Sequence, residues 1–313
     1  MSTPLIELVE NLPKCRVVLV GDFMVDKYIF GATDRVSPEA PIPILRFTRE
    51  EYRLGGAGFV LAGLCELGAE VRAVGIVGND EAGKVLCERM TAAGADCSGL
   101  VPTENRCTVT KTRLLGSSED KSPQQMIRLD MEDASPVDAP TGERLVAAAI
   151  AAMDGANVVA IEDYNKGVVT PEVCRKVIAA ARARGLPVLI DPARLAAADY
   201  VKYTGATALK LNRPEVERAT GMLARSRDQL QAAADALLTK LDLEAVVLTL
   251  NDAGSYLATR AGVQELLAGR KRQVADATGA GDMVLVMLCL ARAAGAEWSD
   301  AVALANTAGG LEV

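Results

Sequence analysis

The chain contains no histidine. A Ser-His-Asp triad, an HExxH metalloprotease site and any histidine base are therefore excluded within its 313 residues. Acid–base work falls to carboxylates, lysine, tyrosine or cysteine. The seven cysteines are scattered, and none form a CxxC pair. An odd count without a framework argues against a disulfide-built secreted fold and, with no histidine, against zinc. The net charge of −7, from 34 basic and 41 acidic residues, offers no general nucleic-acid surface. The cluster Arg270-Lys271-Arg272 is too short to make one and reads as a solvated loop or strand edge. The first residues, MSTPLIELVENLPK, carry Glu7 and Glu10 and do not form a signal peptide. The apolar run at 283–294 holds Arg292 and is too short to span a bilayer. A cytoplasmic protein with no membrane partner is the expectation that remains. No GxxxxGK[ST] is present, and neither HRD nor DFG, so P-loop and protein kinases are also excluded.

Half of the residues are hydrophobic, enough for a substantial core. Short apolar runs at 16–21, 71–78, 157–162, 186–190, 208–211, 245–250 and 255–259 read as strands. Between them, 58–67, 81–93, 143–153, 171–184, 227–240, 281–294 and 299–309 have helical spacing. Thr170 is a plausible cap for the helix that opens with Pro171. Strands alternating with helices of this length predict an α/β protein with helices on both faces of a mostly parallel sheet. Segments 27–50 and 107–130 fit the alternation poorly. They contain strand-like stretches at 42–47, 107–115 and 125–129, with a loop at 117–124, and are expected to form a small β-rich lid on a single domain.

The strongest chemical signal is DATGAGD at 276–282, followed directly by an apolar helix. Gly279 and Gly281 let the backbone bend and approach a ligand closely. The helix start adds unpaired N–H groups and partial positive charge, which suit phosphoryl oxygens. Asp282, in the first turn, could accept a proton from an attacking hydroxyl. A carboxylate that merely favours the helix dipole is an equally sound reading of the residues alone.

DATGAGD resembles the signature of the ribokinase-like carbohydrate kinases, the PfkB family. The likeness extends over nearly the whole chain. Gly55-Gly56 in LGGAGFVLAGLCELG is similar to the family's glycine pair beside the sugar, LNRPE at 211–215 to its N-x-x-E element, and VLTLNDAG at 247–254 to its strand and turn near the nucleotide. Within the family the likeness is greatest to kinases of heptose 7-phosphate. It rests on GDFMVDKYIFGATDRVSPEAPIPILRF at 21–47, QQMIRLD at 124–130, EDYNKGVVT at 162–170, KYTGAT at 202–207 and RQVADATGAGDMVL at 272–285.

This resemblance implies a ribokinase-like fold and ATP-dependent phosphorylation of the anomeric hydroxyl of D-glycero-β-D-manno-heptose 7-phosphate, within ADP-heptose and lipopolysaccharide precursor synthesis. It implies ATP and Mg2+ as cofactors, with a monovalent cation such as K+, and a homodimer paired through lids. Asp282 is the implied base, and Gly279, Ala280 and Gly281 the implied anion hole, with Thr278 beside the nucleotide. Asp26, Gly55, Gly56 and Phe59 fall at sugar positions. Arg35, Lys111, Arg113, Arg128 and Lys166 are candidates for the substrate phosphate, and Asp163 for the phosphate site. Asn212 and Glu215 are the candidates for magnesium, through water. The same pair also fits a helix cap with its partner three residues on. Thr249, Asn251, Gly254 and Asn306 are expected near the nucleotide. Such kinases often occur fused to an adenylyltransferase domain, which is not expected in this histidine-free chain.

The pattern is broken in three places. Phe59 stands where the family usually has a sugar-binding asparagine, Glu162 replaces a usual serine, and Asp191-Pro192-Ala193-Arg194 displaces a basic charge by one position. Phe59 either faces the sugar or turns inward against Val60, Leu64 or the neighbouring sheet. These departures keep two other functions in view: a kinase of another sugar or sugar phosphate, and a catalytically weak binding or scaffold protein.

Overall fold

The computed structural model describes residues 3–117, 122–269 and 279–312. Helix α1 (Thr3–Asn11) precedes β1 (Arg16–Gly21), β2 (Phe23–Val36) and β3 (Pro43–Gly56). Next come α2 (Ala57–Glu66), β4 (Glu70–Gly78), α3 (Glu81–Ala92), β5 (Asp96–Thr103), β6 (Thr110–Ser117) and β7 (Gln124–Met131). The second half runs α4 (Ala139–Ala152), β8 (Val158–Glu162), α5 (Pro171–Ala183), β9 (Val188–Asp191), β10 (Ala208–Asn212), α6 (Arg213–Thr220) and α7 (Arg227–Lys240). It closes with β11 (Ala245–Thr249), β12 (Ser255–Thr259), β13 (Gln264–Leu267), α8 (Ala280–Ala293) and α9 (Trp298–Glu312).

Among the described residues, nine strands form the main sheet in the order β13-β12-β11-β10-β9-β8-β1-β4-β5. All pairings from β11 to β5 are parallel, and β12 and β13 add an antiparallel edge. Period-two burial explains the continuous apolar runs. Val17, Leu19, Val158, Ala160, Leu189, Ala208 and Val247 pack on one face with α2, α8 and α9. Val18, Val20, Val159, Ile161, Ile190, Leu209 and Val246 pack on the other with α4, α5 and α7. Thr170 does cap α5, accepting from Val173 N at 3.2 Å.

The lid is a four-stranded sheet, β3-β2-β6-β7. Its strands are longer than the expected stretches: β2 and β3 each have 14 residues and pair antiparallel along their length, while β6 runs parallel to β2. Part of the loop expected at 117–124 lies outside the described residues; Ser117 and Gln124 themselves end β6 and begin β7. Both inner lid strands join the main body abruptly. Asp22 alone separates β1 from β2, and β3 runs directly into α2 at Gly56. Among the described residues, no helix is long and apolar enough to cross a membrane.

Candidate active site

The C-terminal ends of β8, β9, β10 and β11 place Glu162, Asp191, Asn212 and Thr249 along one edge of the main sheet. This is where open α/β sheets bind ligands. Helix α8 begins beside them. Its N-cap, Gly279, has φ 92°, which glycine adopts without strain, and glycine has no side chain to occupy the N–H groups of the first turn. Those of Ala280, Gly281 and Asp282 thus lie at the positive end of a 14-residue helix.

Asp282 is the acid of that first turn. The Tyr164 hydroxyl lies 3.3 Å from its Oδ1 and 3.4 Å from its Oδ2, and donates to the carboxylate. Burial raises the Asp282 pKa above its ordinary value, while Lys210, Tyr164 and Lys111 work the other way. Lys111, on β6, holds its ammonium 5.4 Å from the centre of the Tyr164 ring, so a lid cation reaches this edge of the sheet. Burial lowers the Lys111 pKa.

A row of charge lies beside Asp282. Glu162 pairs with Asp191 in register across β8 and β9. Leu209 pairs with Ile190, so Lys210 follows opposite Asp191 on β10. All three share the parity of Ala160, Leu189 and Ala208 and therefore face α8. One carboxylate oxygen from each of Glu162, Asp191 and Asp282 lies within 4.8 Å of the others. Lys210 Nζ forms an ion pair with Asp191 Oδ2 and donates to Gly281 O at 3.3 Å. Burial opposes the Lys210 charge, but its ion-pair partner Asp191 leads the acids that outweigh it and hold the ammonium above the usual lysine range. Burial is also the main reason why Asp191 is raised to about 7.

Asp163, one residue after Glu162, is engaged elsewhere. Its carboxylate pairs with Lys202 at 2.5 Å and accepts from Tyr203 Oη at 2.7 Å and Asn165 N at 2.8 Å. These partners do not lie on α8, so the structure brings Glu162 rather than Asp163 to Asp282. Asp22 is the other carboxylate that the sequence reading missed. It accepts from the N–H groups of Tyr164 at 2.9 Å, Lys166 at 3.1 Å and Val168 at 3.3 Å, fixing the loop that carries Tyr164. Burial, then Asp163, raises its pKa to about 6 against those three hydrogen bonds.

Asp26 forms an ion pair with Arg113 at 2.8 Å across the lid strands. A Cβ on Gly55 would stand 2.9 Å from Asp26 Cγ, so glycine is what admits this carboxylate against β3. Gly56, with φ 55°, turns the chain into α2. The Phe59 ring reaches α8, where a Cβ on Gly279 would meet Phe59 Cζ at 2.7 Å. One turn on, Gly63 faces Met283 and Val286. The N-terminal turns of α2 and α8 thus lie side by side.

Among the basic candidates, Lys166 pairs with Glu132 at 2.7 Å and Arg128 with Asp130 at 2.9 Å, while Arg35 is exposed near the end of β2. Asn212 and Glu215 form the capping box of α6. Glu215 N donates to Asn212 Oδ1 at 3.0 Å, and the Glu215 carboxylate accepts from Asn212 N at 2.8 Å and Asn212 Nδ2 at 2.7 Å. Thr249 pairs with Asn212 on one side and Ser255 on the other. Asn251 and Gly254 close the turn between β11 and β12, and Asn306 accepts from Ser255 Oγ at 2.6 Å. The expected nucleotide residues therefore gather at one strand end. Thr278 lies outside the described residues, as does the cluster at 270–272.

The family described as pfkB family carbohydrate kinase matches residues 14–313. The "Bifunctional protein HldE" of Geobacter sulfurreducens is 40% identical over 296 residues, which are 95% of this chain and 59% of the relative. The chain thus spans about three-fifths of the length of that curated relative. A ribokinase of Arabidopsis thaliana, solved with ribose and ATP, matches with a TM-score of 0.71 and 21% identity, covering 95% of this chain and 92% of that one. The phosphofructokinase-2 of Escherichia coli in complex with potassium matches with a TM-score of 0.74 and 18% identity, over 95% and 91% of the two chains. At such identities these two structures speak for the fold, which is ribokinase-like.

Proposed function

The chain belongs to the pfkB family of carbohydrate kinases, and from that premise we propose that it transfers the γ-phosphoryl group of ATP to the anomeric hydroxyl of D-glycero-β-D-manno-heptose 7-phosphate. The observation that carries this reading is Asp282 in the first turn of α8, beside the glycine turn and below the lid cation Lys111. Asp282 takes the proton of the attacking hydroxyl as the new oxygen–phosphorus bond forms and the bond from the γ-phosphorus to the bridging oxygen breaks, releasing ADP. The N–H groups of Ala280, Gly281 and Asp282, with the helix dipole, stabilise charge on the transferred group. Tyr164 keeps the base in place. Asp26, Gly55 and Gly56 line the sugar side, and two or more of Arg35, Lys111, Arg113, Arg128 and Lys166 hold the 7-phosphate. Thr249, Asn251, Gly254, Thr278 and Asn306 serve the nucleotide.

Magnesium fits Asn212 and Glu215. Their side-chain oxygens are hard donors, and the capping box leaves lone pairs on the Glu215 carboxylate for metal-bound water. Magnesium when bound would neutralise phosphate charge, and a monovalent cation such as K+ would assist. Phe47, Ile127, Leu129 and Met131 are exposed on the lid, which supports a homodimer paired through it. A cytoplasmic site of action accords with nucleotide and sugar-phosphate substrates.

Phe59, in place of the family asparagine, favours a second reading: a kinase of another sugar phosphate. ATP-dependent phosphorylation of a sugar panel separates the two. Heptose 7-phosphate should have the highest kcat/KM; a clear preference for another sugar overturns the first reading, and no turnover on any of them points to a binding protein.

A further inference from the structure

The row of charge behind Asp282 holds more acid than its surroundings can keep ionised. One carboxylate oxygen from each of Glu162, Asp191 and Asp282 lies within 4.8 Å of the others, and among the described residues the cation that touches the group is Lys210. Asp191 has that ammonium as its partner. Asp282 receives the Tyr164 hydroxyl. Glu162 has neither: it is 2% exposed, and among the described residues its Oε2 meets no hydrogen-bond partner. A buried carboxylate without a partner is strongly disfavoured, and a like charge beside it adds to the effect.

We propose that Glu162 is a carboxylic acid kept protonated at neutral pH, and that Lys210 and the neutral Glu162 together let Asp282 stand ionised as the base. This rests on the reading of Asp282 as base. Glu162 and Lys210 are positioning residues, since neither needs to touch the sugar. Lys210 does two things at once: it ties the start of α8 to β10 through Gly281 O, and it offsets the charge of Asp191 and Asp282. Among the described residues, the groups facing Asp282 are Lys210 from β10, Tyr164 from the loop after β8, Lys111 from β6, Glu215 from α6, and the acids Glu162 and Asp191. Burial first, then Asp191 and Asp282, pushes Glu162 well above the ordinary glutamate range.

Two measurements test the proposal. In the infrared at pH 7, the difference spectrum between the wild-type chain and Glu162→Gln should contain the carbonyl stretch of a protonated carboxyl. That band should remain in Asp282→Asn. Its absence from the difference spectrum overturns the assignment of Glu162, whatever the fate of Asp282. In kinetics, Lys210→Met should move the acid limb of the kcat/KM profile to higher pH by about one unit, a roughly ten-fold loss at a fixed pH on that limb. Lys210→Arg should restore most of the shift. An unmoved limb in folded Lys210→Met shows Lys210 to be structural only. Should Lys210→Met not fold, the double variant Lys210→Met/Asp191→Asn removes the pair together, and the same limb is read there. Full turnover by Asp282→Asn would overturn the base and leave the infrared result standing by itself.

Discussion

Gly279→Ala puts a number on the contact between the two helix starts. An added Cβ meets two obstacles. Gly279 has φ 92°, and a left-handed backbone costs an L-residue about 1–2 kcal/mol. The Cβ would also stand 2.7 Å from Phe59 Cζ and 3.1 Å from Cε1, and overpacking of this kind typically costs about 1–3 kcal/mol. The expected total is about 2–5 kcal/mol. Phe59→Ala removes the second obstacle and leaves the first. In that background Gly279→Ala should therefore cost only about 1–2 kcal/mol, a coupling of about 1–3 kcal/mol. Equilibrium urea unfolding of the wild type, both single variants and the double variant measures it. Turnover of Gly279→Ala should fall as well, because the N–H groups that follow it are displaced. Additivity within about 0.5 kcal/mol would refute the reasoning, since residues out of contact behave that way.

Asp282→Asn should keep the fold and most nucleotide binding but lose most turnover; near-normal kcat on folded protein counts against a base at this position. For Asp22, an acid raised from 3.8 to about 6, the folded chain holds its proton more tightly than the unfolded one. Its contribution is full below the unfolded pKa and is lost as pH rises through about 6, so unfolding free energy should fall by up to ~1.4 kcal/mol per pH unit across that window relative to Asp22→Asn. Parallel pH profiles for the two proteins would contradict this. Phe59→Asn should raise kcat/KM for heptose 7-phosphate, roughly ten-fold to a hundred-fold if a buried sugar hydroxyl gains its partner, with KM for ATP little changed; an unchanged or lower value sinks the sugar-facing role. Phe47→Lys with Leu129→Lys should convert a dimer to monomer in sedimentation, whereas an unaltered dimer would place the interface elsewhere.

The main sheet was legible because both of its faces are buried. Stretches such as 17–20, 158–161 and 245–248 are continuously apolar, and little else explains them. Helix α5 was legible through its cap and proline. The lid was legible only as a disturbance in the alternation. Its long strands β2 and β3 carry polar residues on both faces, so neither period stands out. Asp282 and its glycine turn could be found because they are contiguous. The row beneath them could not, because it is assembled from three strands far apart in the chain. A faint signal existed: Lys210 interrupts the apolar strand ALKLN, and a lysine there needs a partner. Glu162 stood out as a departure from the family but not as part of the site. Asp163 was named from its likeness to the family's DYxKG aspartate, and Glu162, the last residue of β8, is the acid brought to Asp282.

The abrupt joins between lid and main body have a mechanical consequence. With one residue between β1 and β2, and none between β3 and α2, the lid is a lever rather than a flap. Its fulcrum is Asp22, and Asp22 grips the loop that carries Tyr164. The other arm passes through Gly56 into α2, whose Phe59 bears on the start of α8. Any tilt of the lid would therefore act on both sides of Asp282 at once, on its hydroxyl partner and on the turn that positions it.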